Sequence, residues 1–363
     1  MAHRPLTCEA EVGVLGAGAM GSGIAQVAAE NGHRVVLVDA APEAVERARA
    51  AITKSLARDV EKGRLDRDAA DAARARVRFA ASPAAGAATA FGECALVIEA
   101  IVERLDAKRT AFAALEAVVA EECVLATNTS SLSIAAIGAA CARPERVLGV
   151  HFFNPATLMP LVEIVPSVAT APALRDGVRA LVEGWGKTTV LAADTPGFIV
   201  NRIARPFYGE AIRLLEEGAA DVATIDWAMK DLGGFRMGPF ELMDFIGHDV
   251  NFAVTRSVWE AFFYDSRYRP SFSQQRLLEA GRLGKKSGLG YYDWRDGAAR
   301  PEPARDPELG RAIVDRIVAM LINEAVDAVL LGVASPHDID LAMTKGVNYP
   351  RGLLAWADDL GAG

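Results

Sequence analysis

Gly16-Ala-Gly18-Ala-Met-Gly21 lies between an apolar run, Glu11–Leu15, and a helical pattern over Ser22–Asn31 that Gly32 closes. A second apolar run, Arg34–Val38, ends in Asp39. Three glycines at this spacing, in a strand–turn–helix frame, leave few folds open. The first permits a tight turn, the second lets backbone approach a pyrophosphate, and the third lets helix and strand pack closely. The helix N-terminus then offers amide N–H groups and the positive end of its dipole to phosphates. Asp39 stands where a carboxylate bonds the adenosine ribose hydroxyls. It would repel a 2′-phosphate, and Ala40 and Ala41 supply no arginine to receive one. The pattern therefore selects NAD over NADP, with Gly16, Gly18, Ala19, Met20, Gly21 and Asp39 as cofactor-binding residues. FAD proteins share the fingerprint, so the motif alone does not separate the two cofactors.

The alternation continues. Ala95–Glu99, Val124–Thr127, Val147–Val150 and Leu161–Val165 are apolar runs of strand length, and helical patterns cover Leu105–Val119 and Pro172–Trp185. Fully apolar strands alternating with helices predict an α/β fold, a doubly wound and mainly parallel Rossmann-like sheet. Ligands of such sheets lie beyond the carboxyl ends of strands, where Glu99–Glu103, Asn128–Ser131 and His151–Asn154 fall. A net charge of −8 with no basic tail or stripe excludes a nucleic-acid binder. Cys8, Cys94, Cys123 and Cys141 form no CxxC pair and no metal-ligand spacing with histidine, so they read as reduced thiols in a cytoplasmic protein without a metal. No signal peptide is expected, because the first apolar run already belongs to the glycine-rich unit. No membrane span is expected either: Ile317–Val333 comes near the required length but is interrupted by Asn323, Glu324 and Asp327.

The segment from His151 to Glu163 sets one of five histidines, and a carboxylate, in otherwise apolar sequence. A histidine held by a carboxylate can take a proton at neutral pH, because the acid fixes its tautomer and stabilises the imidazolium. A core histidine satisfied by a nearby acid would look the same.

The motifs GAGAMGSGIAQVAAENGHRVVLVD, VIEAIVE, TNTSSLSI, HFFNP, LVEIV, DTPGFIVNR and MGPFELMDFIG run in this order through roughly residues 10–295. Together they resemble the 3-hydroxyacyl-CoA dehydrogenase family. The resemblance implies NAD-dependent oxidation of an (S)-3-hydroxyacyl-CoA to the 3-oxoacyl-CoA, most like the bacterial branch acting on 3-hydroxyadipyl-CoA or 3-hydroxybutyryl-CoA in aromatic-acid or fatty-acid catabolism. It implies His151 as catalytic base, Glu163 as its partner, and Ser130 and Asn201 as residues that bond the reacting oxygen or orient the base. It also implies Asn154 at the same site, Glu103 and Lys108 near the nicotinamide ribose, Asn128 and Ser130 beside the cofactor, and Ser55 and Lys62 against the CoA nucleotide. On the residues alone, Ser130 and Ser131 could instead cap a helix starting near Leu132, and Lys54, Arg58 and Lys62 could be a solvated helix face. Two other functions stay open: oxidation of a free hydroxy acid or sugar acid, and a non-catalytic, crystallin-like NAD-binding protein.

Past Asp194-Thr-Pro-Gly197 the pattern turns to amphipathic helices over Phe198–Glu217, Val222–Leu232 and Pro239–Phe245, then a turn-rich Gly281–Trp294 and a linker over Gly297–Pro307. Glu210, Gly218, Asp226, Met229, Gly238, Asp244 and Gly247 recur 114 residues later as Glu324, Gly332, Asp340, Met343, Gly352, Asp358 and Gly361. That is a duplicated helical module. The expected domains are thus 1–196 (Rossmann), 197–297 (helical) and 308–363 (a partial second copy). Asn201 corresponds to Asp315, so the second copy lacks the site asparagine and reads as structural. It stops at Gly363, where long bacterial members usually continue, which leaves truncation or a shortened linker and tail as readings. In short family members two C-terminal domains from different subunits pair, so either a homodimer or internal pairing of the two copies is expected. Arg205, one helical turn from Asn201, and Arg236, before the MGPFEL motif, could meet the distal carboxylate of a dicarboxylyl substrate, or simply lie on the surface. Short mitochondrial members carry apolar residues at these two positions.

Overall fold

Strands whose residues are apolar on both faces need cover on both. The computed structural model, which describes residues 6–7, 9–82 and 88–361, supplies it; Cys8 lies outside the described residues. Strands β1 (Val12–Leu15), β2 (Val35–Asp39), β3 (Val77–Ala81), β4 (Leu96–Glu99), β5 (Val124–Thr127), β6 (Val147–Phe152), β7 (Leu161–Pro166) and β8 (Thr188–Leu191) form one sheet in the order β3-β2-β1-β4-β5-β6-β7-β8. Every residue of β1, β4, β5 and β6 is buried. Helices α1 (Ala19–Glu30), α2 (Pro42–Glu61), α3 (Arg67–Arg76), α4 (Leu105–Glu116), α5 (Ile134–Gly138) and α6 (Pro172–Gly184) belong to the same unit. Val12, Val14, Leu96, Ile98, Val124, Ala126, Leu148 and Val150 share one core with Ile24 and Val27 of α1, Ile52 and Leu56 of α2, and Val178 and Val182 of α6. Their strand neighbours point the other way, as the two-residue period requires.

The sheet is parallel except at one junction. β6 and β7 pair antiparallel, so β7 and β8 run against the other six strands. The register at that junction sets His151 directly opposite Glu163.

The chain divides into two compact units, Met1–Thr195 and Pro196–Gly363. The second is helical: α7 (Val200–Ile203), α8 (Arg205–Glu216), α9 (Val222–Trp227), α10 (Pro239–Ile246), α11 (His248–Ala261), α12 (Phe272–Glu279), α13 (Pro307–Leu330), α14 (Pro336–Gly346) and α15 (Leu353–Asp359). The single helix predicted over Phe198–Glu217 is divided at Ala204, because Pro206 has no N–H to give and suits a helix start. Among the described residues no helix is long and apolar enough to cross a membrane.

The duplication is visible in matched contacts. Asp226 accepts hydrogen bonds from the Phe240 and Glu241 amides, and Asp340 from those of Leu354 and Ala355, each carboxylate closing the start of the helix that follows. Both depend on a neighbouring glycine, since a Cβ at Gly238 would lie 2.3 Å from Asp226 and one at Gly352 2.2 Å from Asp340. The copies also grip each other reciprocally. Arg202 pairs with Glu324, and its counterpart Arg316 with Glu210, the counterpart of Glu324. Phe235 packs edge-on against its own counterpart Tyr349, ring centres 5.0 Å apart. Equivalent residues meeting equivalent residues is the signature of a two-fold interface, here closed within one chain.

Glu324 is enclosed by Arg202, Arg267 and Tyr268. Removing one member of a buried ion pair costs about 3–5 kcal/mol. Glu324→Ala is therefore expected to lower the stability of the second unit by about 3 kcal/mol, with Asp327 retaining part of the Arg202 charge balance. Urea unfolding checks this; a loss below about 1 kcal/mol would mean that the reciprocal pairs do not hold the copies together.

Candidate active site

The glycine turn joins β1 to α1 with no room for side chains where backbone must meet backbone. A Cβ at Gly21 would lie 1.8 Å from the Gly16 carbonyl oxygen, and one at Gly16, whose φ is +108°, would lie 2.5 Å from that of Ala100. Gly18 differs: a Cβ there would meet nothing within 4 Å. It borders open space at the N-terminus of α1, on both sides. One cavity of about 470 Å³ is lined by Gly18, Ala19, Asp39, Arg47, Ser55 and Asn154 among others. Another, of about 580 Å³ and more apolar, is lined by Gly16, Gly18, Asp39, Ile101, Val102 and Thr110 among others. Asp39 belongs to both cavities. Its carboxylate accepts from the Ala17 amide at 2.7 Å and the Ala41 amide at 2.9 Å, which holds it against the turn and leaves acceptor capacity for ribose hydroxyls. Residues and space fit a dinucleotide.

Beyond the carboxyl ends of the central strands lies the second group. His151 closes on Glu163 through Nδ1, 2.6 Å from Oε2, with the carboxylate fully buried and the imidazole 5% exposed. A carboxylate only accepts, so Nδ1 carries the proton and Nε2 is the acceptor nitrogen. The second unit holds another histidine–carboxylate pair. His248 meets buried Asp244 at 2.8 Å, and its other nitrogen contacts Gln274 inside the protein. Burial alone would raise the Asp244 pKa, yet bonds from His248, Trp294 and the Tyr291 and Tyr292 amides hold it below the usual carboxylate range. That pair ties a turn to a helix; the His151 pair joins β6 to β7 at the carboxyl end of β6.

The loops beside it are tied by buried charge. Glu99, at the end of β4, takes hydrogen bonds from Lys108 Nζ, Thr127 Oγ1 and the Ile101 amide, each within 2.7 Å. Lys108 also lies 3.3 Å from Glu103. Glu103 in turn accepts from the Ser130 and Ser131 amides and from the hydroxyls of Thr129, Ser130 and Ser131. Burial pushes the Glu103 pKa up, but the Lys108 charge and these donors outweigh it and hold the carboxyl below its ordinary value. Asn128 receives the Phe152 amide on its side-chain oxygen at 2.8 Å, binding the end of β5 to that of β6.

Several sequence expectations change in detail. Ser130 and Ser131 do not cap a helix at Leu132: α5 begins at Ile134, Ser133 is its cap, and Asp194 takes the Ile134 and Ala135 amides. Lys108 is buried, its ammonium engaged by Glu99 and Glu103. Ser55 and Asn154 line the cavity beside Gly18, whereas Lys62 is exposed at the end of α2 and lies outside that lining. Asn201 belongs to the second unit, in α7. Of the two arginines, Arg236 is exposed and Arg205 is buried. Glu99, Thr127 and Asp194 went unread as anchors; Glu99 and Thr127 end apolar strand runs, where a polar residue facing inward was the available signal.

The chain matches two family models: the 3-hydroxyacyl-CoA dehydrogenase NAD binding domain over residues 11–195, and the C-terminal domain of the same family over residues 197–294 and 313–363. It is 41% identical to the 3-hydroxyadipyl-CoA dehydrogenase of Escherichia coli K12 across 96% of this chain and 90% of that protein. It is 42% identical to a 3-hydroxybutyryl-CoA dehydrogenase of Bradyrhizobium diazoefficiens across 81% of this chain and 98% of the relative. A crystal structure of 3-hydroxybutyryl-CoA dehydrogenase from E. coli K12 superposes with a TM-score of 0.88 at 40% identity, covering 97% of this chain and 92% of that one.

The open space at Gly18 makes a clean test of the cradle. Gly18→Val is expected to leave the melting temperature without cofactor unchanged and to weaken NAD binding at least tenfold, by filling the place of the pyrophosphate. Titration calorimetry reads the affinity; undiminished binding would place the dinucleotide elsewhere.

Proposed function

The chain belongs to the 3-hydroxyacyl-CoA dehydrogenase family, and on that premise we propose that it oxidises (S)-3-hydroxyacyl-CoA to 3-oxoacyl-CoA with NAD. The observation that carries this reading is the buried His151–Glu163 pair at the carboxyl end of β6, in the same unit as a glycine turn fitted to a dinucleotide. Oxidation of a secondary alcohol removes a proton from oxygen and a hydride from carbon. NAD, when bound, accepts the hydride.

This chain's own residues handle the proton. His151, donating through Nδ1 to Glu163, presents Nε2 to the substrate hydroxyl; the imidazolium formed on proton transfer is stabilised by the carboxylate 2.6 Å away. Ser130 holds the reacting oxygen as its charge changes. Ser130 is pinned through backbone and hydroxyl to Glu103, and Glu103 to Lys108, so the loop carrying it is set before substrate arrives. Asn154 and Ser55 line the cavity beside Gly18, and Ser55 on α2 and Lys62 just past its end are the residues assigned to the CoA nucleotide. Asp39 binds the adenosine ribose and opposes a 2′-phosphate.

The name of the E. coli relative and that of the B. diazoefficiens relative support a substrate in the adipyl–butyryl range. The reciprocal Arg202–Glu324 and Arg316–Glu210 pairs support internal pairing, the second copy standing where a partner's C-terminal domain would stand in a dimer. Three buried, unbridged thiols, Cys94, Cys123 and Cys141, support the cytoplasm as its compartment.

A general base of this kind is worth about 10²–10⁴-fold in rate. His151→Gln is expected to lower kcat by that factor while NAD affinity stays within about twofold. Glu163→Gln keeps the shape but removes the charge, and is expected to reduce kcat about 10- to 100-fold without unfolding. NADH formation at 340 nm follows both; near-normal turnover in either variant refutes the relay.

A further inference from the structure

A small cationic cavity lies wholly within the second unit. Its volume is about 50 Å³, and the residues along it run from Arg205 to Gln274, without Asn201 among them. Four arginines border it, Arg205, Arg213, Arg267 and Arg269, against one carboxylate, Glu216. Two of the four are matched by other acids: Arg213 pairs with Glu210, and Arg267 with Asp265, Glu324 and Asp327. Glu216 is exposed and already accepts from the Ser273 hydroxyl. Arg205 and the exposed Arg269 have no carboxylate partner among the described residues.

Arg205 is the unusual member. It is 7% exposed and stands in the first turn of α8. Its one hydrogen bond runs from Nη1 to the Thr255 hydroxyl at 3.2 Å, and that hydroxyl gives its own proton to the Asn251 carbonyl. Nε is buried without a partner, and the guanidinium lies 4.9 Å from the ring centre of Tyr208. Burial pushes its pKa down, opposed by the Tyr208 and Tyr349 phenols and by no carboxylate. A buried charge is normally paired and fully hydrogen-bonded, because its desolvation is otherwise uncompensated. The second copy carries Ala319 where the first has Arg205, and Ile322 where it has Tyr208. Small and apolar side chains therefore satisfy the packing of this helix at both places.

We propose that this cavity is a binding site for a small oxyanion, phosphate or a short carboxylate, held by Arg205 within and by Arg269 at the rim. Its 50 Å³ is about three times the ~15 Å³ that one water needs. That is room for an ion of a few atoms and too little for a nucleotide or an acyl chain. Guanidinium recognises carboxylate and phosphate alike, in a fork geometry. The site also has a mechanical consequence. Arg213 donates to the Ser266 and Arg267 carbonyls and so holds against α8 the turn that leads to Arg269. An anion between Arg205 and Arg269 ties that turn to α8 a second time. The site does not depend on the dehydrogenase reading.

The test titrates inorganic phosphate and, separately, acetate into the full chain, with NAD and coenzyme A saturating so that phosphate-binding places in the first unit are filled. Calorimetry is expected to show a site that Arg205→Met weakens at least tenfold, the size of a lost charge-assisted hydrogen bond. Arg269→Gln is expected to weaken it severalfold. The anion that binds more tightly identifies the source. Melting gives a second reading. Without added anion, Arg205→Met is expected to melt no lower than the wild-type protein, since it leaves no charge buried. Added phosphate is expected to raise the melting temperature of the wild-type protein more than that of the variant. Absence of binding by the wild-type protein overturns the proposal, and so does binding of both anions that Arg205→Met leaves unchanged. Should Arg205→Met not fold, the exposed Arg269→Gln decides: undiminished affinity for both anions overturns the site.

Discussion

The antiparallel junction between β6 and β7 is the constraint on which the site depends. In a sheet that ran parallel throughout, residues facing each other across two strands would all sit at the same distance along their strands, and a strand-end histidine would meet another strand end. Reversal lets the last residues of β6 oppose the first half of β7, so His151 finds Glu163 from within the sheet. The carboxylate is thereby fully buried and the imidazole is held by backbone register rather than by a loop. Catalytic groups supported on rigid elements keep their geometry within the tolerance that proton transfer requires.

Around that pair the protein invests in buried charge. Glu99, Lys108 and Glu103 form a chain leading from the end of β4 to the Thr129–Ser131 turn after β5. Buried ion pairs contribute little to stability after desolvation, so their value here lies in position. Glu103 Oε1 accepts from the Ser130 and Ser131 amides and from the hydroxyls of Thr129, Ser130 and Ser131, while its Oε2 faces Lys108, and Ser130 is placed by that arrangement. Asp194 does the same for the start of α5, reaching it from sixty residues away.

Much of this was legible in the residues. The Gly16–Gly21 turn and Asp39 carry local geometry, and local geometry is what spacing encodes. The central strands were legible because burial on both faces demands unbroken apolar runs. Strands β3 and β8 were not, because they are edge strands with half-exposed residues, and Val77-Arg78-Phe79 reads as neither a clean alternation nor a run. The helices over His248–Ala261 and Phe272–Glu279 escaped for a related reason: their fixed points, His248 to Asp244 and Gln274 to Asn251, join segments that sequence spacing does not relate. The reversal of β7 was equally hidden, since LVEIV looks the same in either direction. His151 and Glu163 could be named as candidates from residue type, but only the register joins them.

The internal duplication carries information that a single domain could not. Two copies of one module, folded side by side in one chain, share the demands of packing but not those of chemistry. Where both copies keep a residue, the residue answers to the fold: Arg202 and Arg316 each pair with the other copy's glutamate, and Asp226 and Asp340 each close a helix start. Where they differ, packing has accepted either choice. Asp358, for example, is exposed, whereas Asp244 is buried under the Tyr291–Trp294 segment for which the second copy has no counterpart in this chain. The same comparison, applied to Asn201, Arg205 and Tyr208, separates a cluster that one copy keeps and the other replaces with Asp315, Ala319 and Ile322.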